Sequence, residues 1–127
     1  YKNAIPRRNP INLVLDTKLM LQSLERVSVV ISEKLKSPVR CVFEDNKVTM
    51  SAKTASGDAK DVCRIAGDGQ GLEIGFNNRY LMDALRYAPA DTVRMELNTG
   101  ISPAIIVPVE GEENFLYMVL PVRLKAN

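Results

Sequence analysis

LEIGFNNRYLMDALRYA, residues 72–88, changes its hydrophobic period half-way along. Leu72 to Phe76 is an apolar run of strand length, and Asn77 stands where a helix N-cap belongs. Leu81, Ala84, Leu85 and Ala88 then recur at helical spacing. The chain carries the same unit earlier. Ile11 to Leu15 is apolar, Asp16 takes the capping position, and Met20, Leu24, Val27 and Ile31 form the stripe. At an offset of 61 residues Leu13 matches Ile74, Leu15 matches Phe76, Lys18 matches Arg79, Met20 matches Leu81 and Leu24 matches Leu85.

Strand-like segments follow each capped helix. After the first come Val39 to Phe43, Val48 to Ala52 and Val62 to Ala66; after the second come Val93 to Leu97, Ala104 to Val109 and Phe115 to Leu120. Turn chemistry predicts a tight reversal at Glu44-Asp45-Asn46-Lys47, a polar loop at Ser56 to Asp58 and a linking turn at Gly67 to Gly71. The fold class is therefore α+β. A strand–helix–three-strand half is given twice, with both helices packed on one side of antiparallel sheet. Residues 1–10 read as a lead-in segment from a preceding domain, 11–124 as one domain with halves near 11–66 and 72–124, and 125–127 as a tail. Tyr1 in place of an initiator methionine predicts a piece of a longer protein.

Composition excludes much chemistry. Of 127 residues, 46% are hydrophobic and 25% charged, enough to bury a core, and no run reaches the roughly 20 apolar residues of a membrane span. There is no histidine, which removes Ser-His-Asp and Cys-His catalysis and HExxH zinc sites. Cys41 and Cys63 are too far apart for a CxxC motif and sit in apolar runs, as buried reduced thiols of a cytoplasmic protein do. Gly67, Gly69 and Gly71 lead into a strand rather than a helix, so they do not make a phosphate loop. The pairs Asp58/Asp61 and Glu112/Glu113 read as solvated turn residues. A catalyst has little left to use; the reading is no enzyme, no cofactor and no metal.

Net charge is only +2, but residues 1–40 carry eight basic side chains against three acidic ones, a modest hint of a polyanionic partner. On the polar helix faces, Lys18, Gln22 and Arg26 line the first helix and Arg79 and Arg86 the second. Such a surface can meet phosphates without reading bases, or can simply be solvated, with Glu25 and Asp83 among the cations. The closing run Phe115 to Val122 is apolar on both parities. Phe115, Tyr117 and Val119 can face the core. Leu116, Met118, Leu120 and Val122 then need either a second cover or a guest. Val29, with Val30, adds an apolar residue on the polar side of the first helix, where a subunit contact or plain exposure are the two readings.

Several segments together resemble a known family: Tyr1 to Pro6, Asn9-Pro10, the helix ending Glu25-Arg26, Glu73-Ile74-Gly75-Phe76-Asn77 with Tyr80, Val93-Arg94-Met95, and Leu120-Pro121-Val122-Arg123-Leu124. They are similar to the C-terminal third of the bacterial DNA polymerase III beta subunit, the sliding clamp, over essentially the whole chain. The resemblance implies a homodimeric ring of two three-domain chains closed around duplex DNA, with helices lining the hole. Such a ring acts as a processivity factor and not as a catalyst. It implies a peptide-binding pocket that takes Ala4, Asn77, Tyr80, Leu81, Pro103, Met118, Leu120 and Val122 from this domain. Its ligands are short linear motifs of the polymerase III alpha and clamp-loader subunits. It further implies DNA-facing roles for Arg7 and Arg8 besides the helix residues above, and places Val29 and Val30 at the joint between chains. Lys60 departs from the more acidic character usual in relatives at that joint. The rival readings are a small-substrate enzyme and a helix-on-sheet lipid or ligand carrier with an enclosed cavity.

Overall fold

The computed structural model describes residues 10–31, 38–55, 57–109 and 115–124. Nine elements follow one another: β1 (Ile11–Asp16), α1 (Thr17–Ser28), β2 (Val39–Thr54), β3 (Gly57–Phe76), α2 (Asn78–Tyr87), β4 (Thr92–Leu97), β5 (Ala104–Pro108), β6 (Tyr117–Val119) and β7 (Pro121–Val122). The strands form one antiparallel sheet in the order β2-β3-β1-β4-β5-β6, with β7 added to β3.

Both helices begin as the sequence predicts. The Asp16 side chain accepts from the Leu19 N–H at 2.9 Å, and the Asn77 side chain accepts from the Tyr80 N–H at 3.2 Å. Each satisfies one of the orphan amides of a first turn. These acceptors and donors are themselves 61 residues apart, so the duplication extends to the caps. Helix α1 stops at Ser28, one turn before the apolar stripe would end it; Ile31 lies beyond, half-buried.

The two halves are interleaved. β1 pairs along its whole length with β4, from Asp16↔Thr92 to Ile11↔Leu97, and the last part of β3 pairs with the first part of β2, from Phe76↔Val39 to Leu72↔Phe43. The strand entering each helix thus pairs with the strand leaving the other. The remaining contacts obey the same symmetry: Val14↔Ala66 in one half, Gly75↔Val122 in the other. Neither half can complete its sheet alone.

Two expected turns are absent as turns. β2 runs through Glu44 to Lys47 and β3 runs through Gly67 to Gly71 without reversing. The two irregular stretches face each other across the ladder at Asp45↔Asp68. On either side of that pair, one residue of β2 stands opposite three of β3. Asn46, Gly67, Gln70 and Gly71 all have positive φ, and the Asn46 side chain accepts from the Gly67 N–H at 3.1 Å. What reads locally as two turns is one bulged bend in a long hairpin.

The core is one contiguous cluster. Leu13, Leu15, Met20, Leu24, Phe43, Met50, Ile74, Phe76, Leu81, Leu85, Met95 and Leu97 are fully enclosed, filling the space between helices and sheet in which a carrier would need its cavity.

Candidate functional site

Helices α1 and α2 lie side by side, and equivalent positions meet across the seam between them. Glu25 of α1 faces Arg86 of α2, 61 residues on, at 3.6 Å, and the Ser28 hydroxyl approaches the Met82 sulfur. This joins the two polar faces into one surface on which Lys18, Gln22, Arg26, Arg79 and Arg86 are all exposed.

That surface is partly neutralised from within. Arg86 also pairs with Asp83 one turn back, at 3.4 Å. On the other flank of α1, Arg26 donates from Nε (3.2 Å) and Nη2 (2.9 Å) to the same oxygen of Asp61 on β3, and from Nη2 to the buried Ser23 hydroxyl at 3.2 Å. Asp61 is therefore not the solvated turn residue expected from its neighbours. It faces the helix side of the sheet, opposite Met50. Partial burial pushes its carboxyl pKa up, but hydrogen bonds from Ser23 and Arg26, the Arg26 charge and the Val62 N–H outweigh this and leave it below the ordinary value.

A depressed carboxyl contributes stability above the unfolded-state pKa of about 3.9 and loses it as pH falls through the folded value. Asp61→Asn should thus lower stability to urea at pH 7 by a small amount fitting a surface pair, and the gap to the parent should close below about pH 4. A gap unchanged at about pH 2 would mean the carboxylate's charge contributes nothing.

A second feature lies at the far side of α2. Val119 is enclosed and Tyr117 packs on the core, whereas Leu116, Met118, Leu120 and Val122 are exposed. The alternate positions of the closing run have therefore divided, and the second set is uncovered among the described residues. Strand register gathers the neighbours. Ala104↔Val119 leaves Pro103 beside Leu120 from β5, and Phe76↔Pro121 brings Asn77 beside it from β3. Tyr80 is exposed and lies on the first turn of α2. Of the eight pocket residues expected, Leu81 is wholly enclosed under α2, where it shares the stripe of Ala84 and Leu85. Ala4, Arg7 and Arg8 lie outside the described residues, as do Glu112 and Glu113.

Val29 follows the last residue of α1 and is 82% exposed, while Val30 is half-buried against the core, with its carbonyl accepting from the Thr54 hydroxyl. Nearby, residues 57–64 of β3 are paired on one edge with β2. Among the described residues, no strand occupies the other edge until Val14↔Ala66. An open edge next to an exposed valine is a template for another chain.

Nucleophilic chemistry finds no footing at the two thiols. Burial pushes Cys41 up to about 12 and also raises Cys63, so both stay protonated at neutral pH. Among the described residues no three His, Cys, Asp or Glu side chains converge to hold a metal, and no helix is long and apolar enough to cross a membrane.

Residues 2–123 match the family described as DNA polymerase III beta subunit, C-terminal domain. The chain belongs to this family. The clamp-family assignment agrees with individual relatives. A beta sliding clamp from Synechocystis is 33% identical over 98% of this chain and 32% of its own length. The crystal structure of the Thermotoga maritima DNA polymerase III beta subunit superposes with a TM-score of 0.87 at 29% identity, covering 98% of this chain and 33% of the other. That of the Pseudomonas aeruginosa sliding clamp gives 0.87 at 26% identity, with 98% and 34% covered. The chain thus spans about a third of the length of the relatives it matches. The DNA-clamp architecture of duplicated strand–helix–three-strand halves is shared with these solved clamps.

Proposed function

We propose that this domain serves as one segment of a dimeric ring that encircles duplex DNA and tethers polymerase III, without catalysing a reaction itself. The observation that carries the reading is the division of the closing run into an enclosed row and an uncovered row, Leu116, Met118, Leu120 and Val122, beside Tyr80. An apolar strip of this kind fits a short peptide carrying bulky apolar side chains and a glutamine, the latter suited to polar groups such as Asn77. Alpha and clamp-loader subunits are the proposed bearers of such motifs. The joined helix face supports the second part. With Lys18, Gln22, Arg26, Arg79 and Arg86 exposed on one surface, it can run along phosphates without reading sequence. The open edge of β3 with Val29 and Val30 fits the joint with a second chain. Buried, protonated thiols suit the reducing bacterial cytoplasm.

Encirclement needs no tight grip, and this sets the test. The isolated domain should bind duplex DNA only feebly at low salt and lose that binding at physiological ionic strength, because few phosphates are neutralised. Fluorescence anisotropy with a labelled duplex of random sequence measures it. Tight binding that survives 0.2 M salt would overturn topological tethering in favour of a direct DNA-binding module.

A further inference from the structure

We infer that Glu25, Asp61 and Asp83 are built-in counter-ions that keep the helix face from gripping DNA, so that the surface can slide. The inference rests on the reading that this face meets duplex DNA, and it assigns the three carboxylates a role within it.

The face carries four cations, Lys18, Arg26, Arg79 and Arg86, against these three carboxylates. The carboxylates are not scattered. Asp61 holds Arg26 through two guanidinium nitrogens, while Glu25 and Asp83 hold the two ends of the Arg86 guanidinium from different helices. The Ser23 hydroxyl accepts from the same guanidinium at 3.2 Å, so Arg26 is held towards Asp61 from a second side.

Exposed ion pairs contribute little to folding stability. A purely structural purpose therefore explains three such contacts poorly. Their effect on a polyanion is larger. Affinity for DNA rises with each phosphate neutralised, and the slope of log K against log salt steepens by about 0.9 per contact. An arginine already facing a carboxylate offers the phosphate a competitor and a nearby like charge. Two arginines held this way leave a face that attracts the backbone without locking onto it.

The test compares two triple variants of this chain with equal change in net charge. In Glu25→Gln/Asp61→Asn/Asp83→Asn the counter-ions are lost. In Glu44→Gln/Asp45→Asn/Glu73→Gln three carboxylates of the β2–β3 hairpin are lost instead. Both are checked by thermal melting to be fully folded at the assay temperature and titrated with a 20-base-pair duplex from 25 to 200 mM salt. The first should bind at least about tenfold tighter at 50 mM salt with a steeper slope, by about 1–2, and the second should change affinity by less than about threefold. Equal tightening by both variants, or none by the first, would overturn the counter-ion role. A third variant, Lys18→Gln/Arg26→Gln/Arg79→Gln/Arg86→Gln, separates the two ideas. If it binds DNA as well as the parent, the DNA-facing reading itself falls. If it loses binding while the first triple variant gains none, only the counter-ion role falls.

Discussion

Met118→Glu should abolish capture of a Gln-Leu-x-Leu-Phe peptide by this domain while leaving its melting temperature within a few degrees of the parent. Met118 is 43% exposed, so a glutamate there keeps access to water in the free domain and disturbs no core contact. A guest changes that balance. Burying three apolar side chains contributes roughly 4.5–9 kcal/mol gross, at about 1.5–3 each. Ordering costs reduce this to about micromolar affinity at best. The glutamate removes one apolar partner and adds a carboxylate that the guest would have to desolvate. A combined loss of about 3 kcal/mol is on the order of 100-fold in affinity, which pushes binding towards the millimolar range.

NMR titration with the peptide checks this. The parent should show shifts at Tyr80, Met118 and Leu120, and the variant should show none. No shift in the parent at millimolar peptide would remove the groove, and equal binding by both would remove Met118 from it. The neighbouring position should behave in the opposite way. Val119→Glu buries a carboxylate in a site only 2% exposed and should unfold the domain rather than silence one surface.

The second large effect concerns folding. Gly69→Ala should lower the melting temperature by about 10 °C or more, whereas Gly71→Ala should cost less. A Cβ on Gly69 would stand 2.4 Å from the Phe43 Cβ and 2.5 Å from its carbonyl carbon and oxygen. Two of these three atoms are backbone, and Phe43 is fully enclosed, so nothing nearby can yield cheaply. Overpacking of this kind costs typically about 1–3 kcal/mol and sometimes more. At about 3–6 °C per kcal/mol for a domain of this size, the shift is large. Gly71 is a different case, with open space around its Cβ but a φ of +74°. Its alanine variant pays only left-handed strain of about 1–2 kcal/mol. Thermal unfolding of both variants decides the matter, and a Gly69→Ala protein melting within 2 °C of the parent would show that the bend does not require the close approach.

These two glycines lie in a bend whose local sequence is that of a turn. Asn46, Gly67, Gln70 and Gly71 adopt positive φ, the backbone state that Asn and Gly favour, and such residues announce a turn whenever the chain is read locally. A hairpin turn and a bulge make the same local demand. Only the ladder, in which Asp45 finds itself opposite Asp68, decides that the chain bends and goes on. The enclosure of Leu81 has a related cause. A resemblance carries residue types from one place to another, while the azimuth of α2 decides which of them is enclosed.

By itself the sequence determined the two capped helices, their stripes and the 61-residue repeat. Each of these is set by local hydrogen-bonding capacity or by the 3.6- and 2-residue periods, which need no distant partner. Tertiary structure alone decided the exchange of strands between the halves and the bend in the long hairpin. It also paired Arg26 with Asp61, 35 residues on, and Glu25 with Arg86 across the helix seam. Those contacts join groups far apart in the chain, and their geometry exists only after apolar burial has brought the sheet and both helices together.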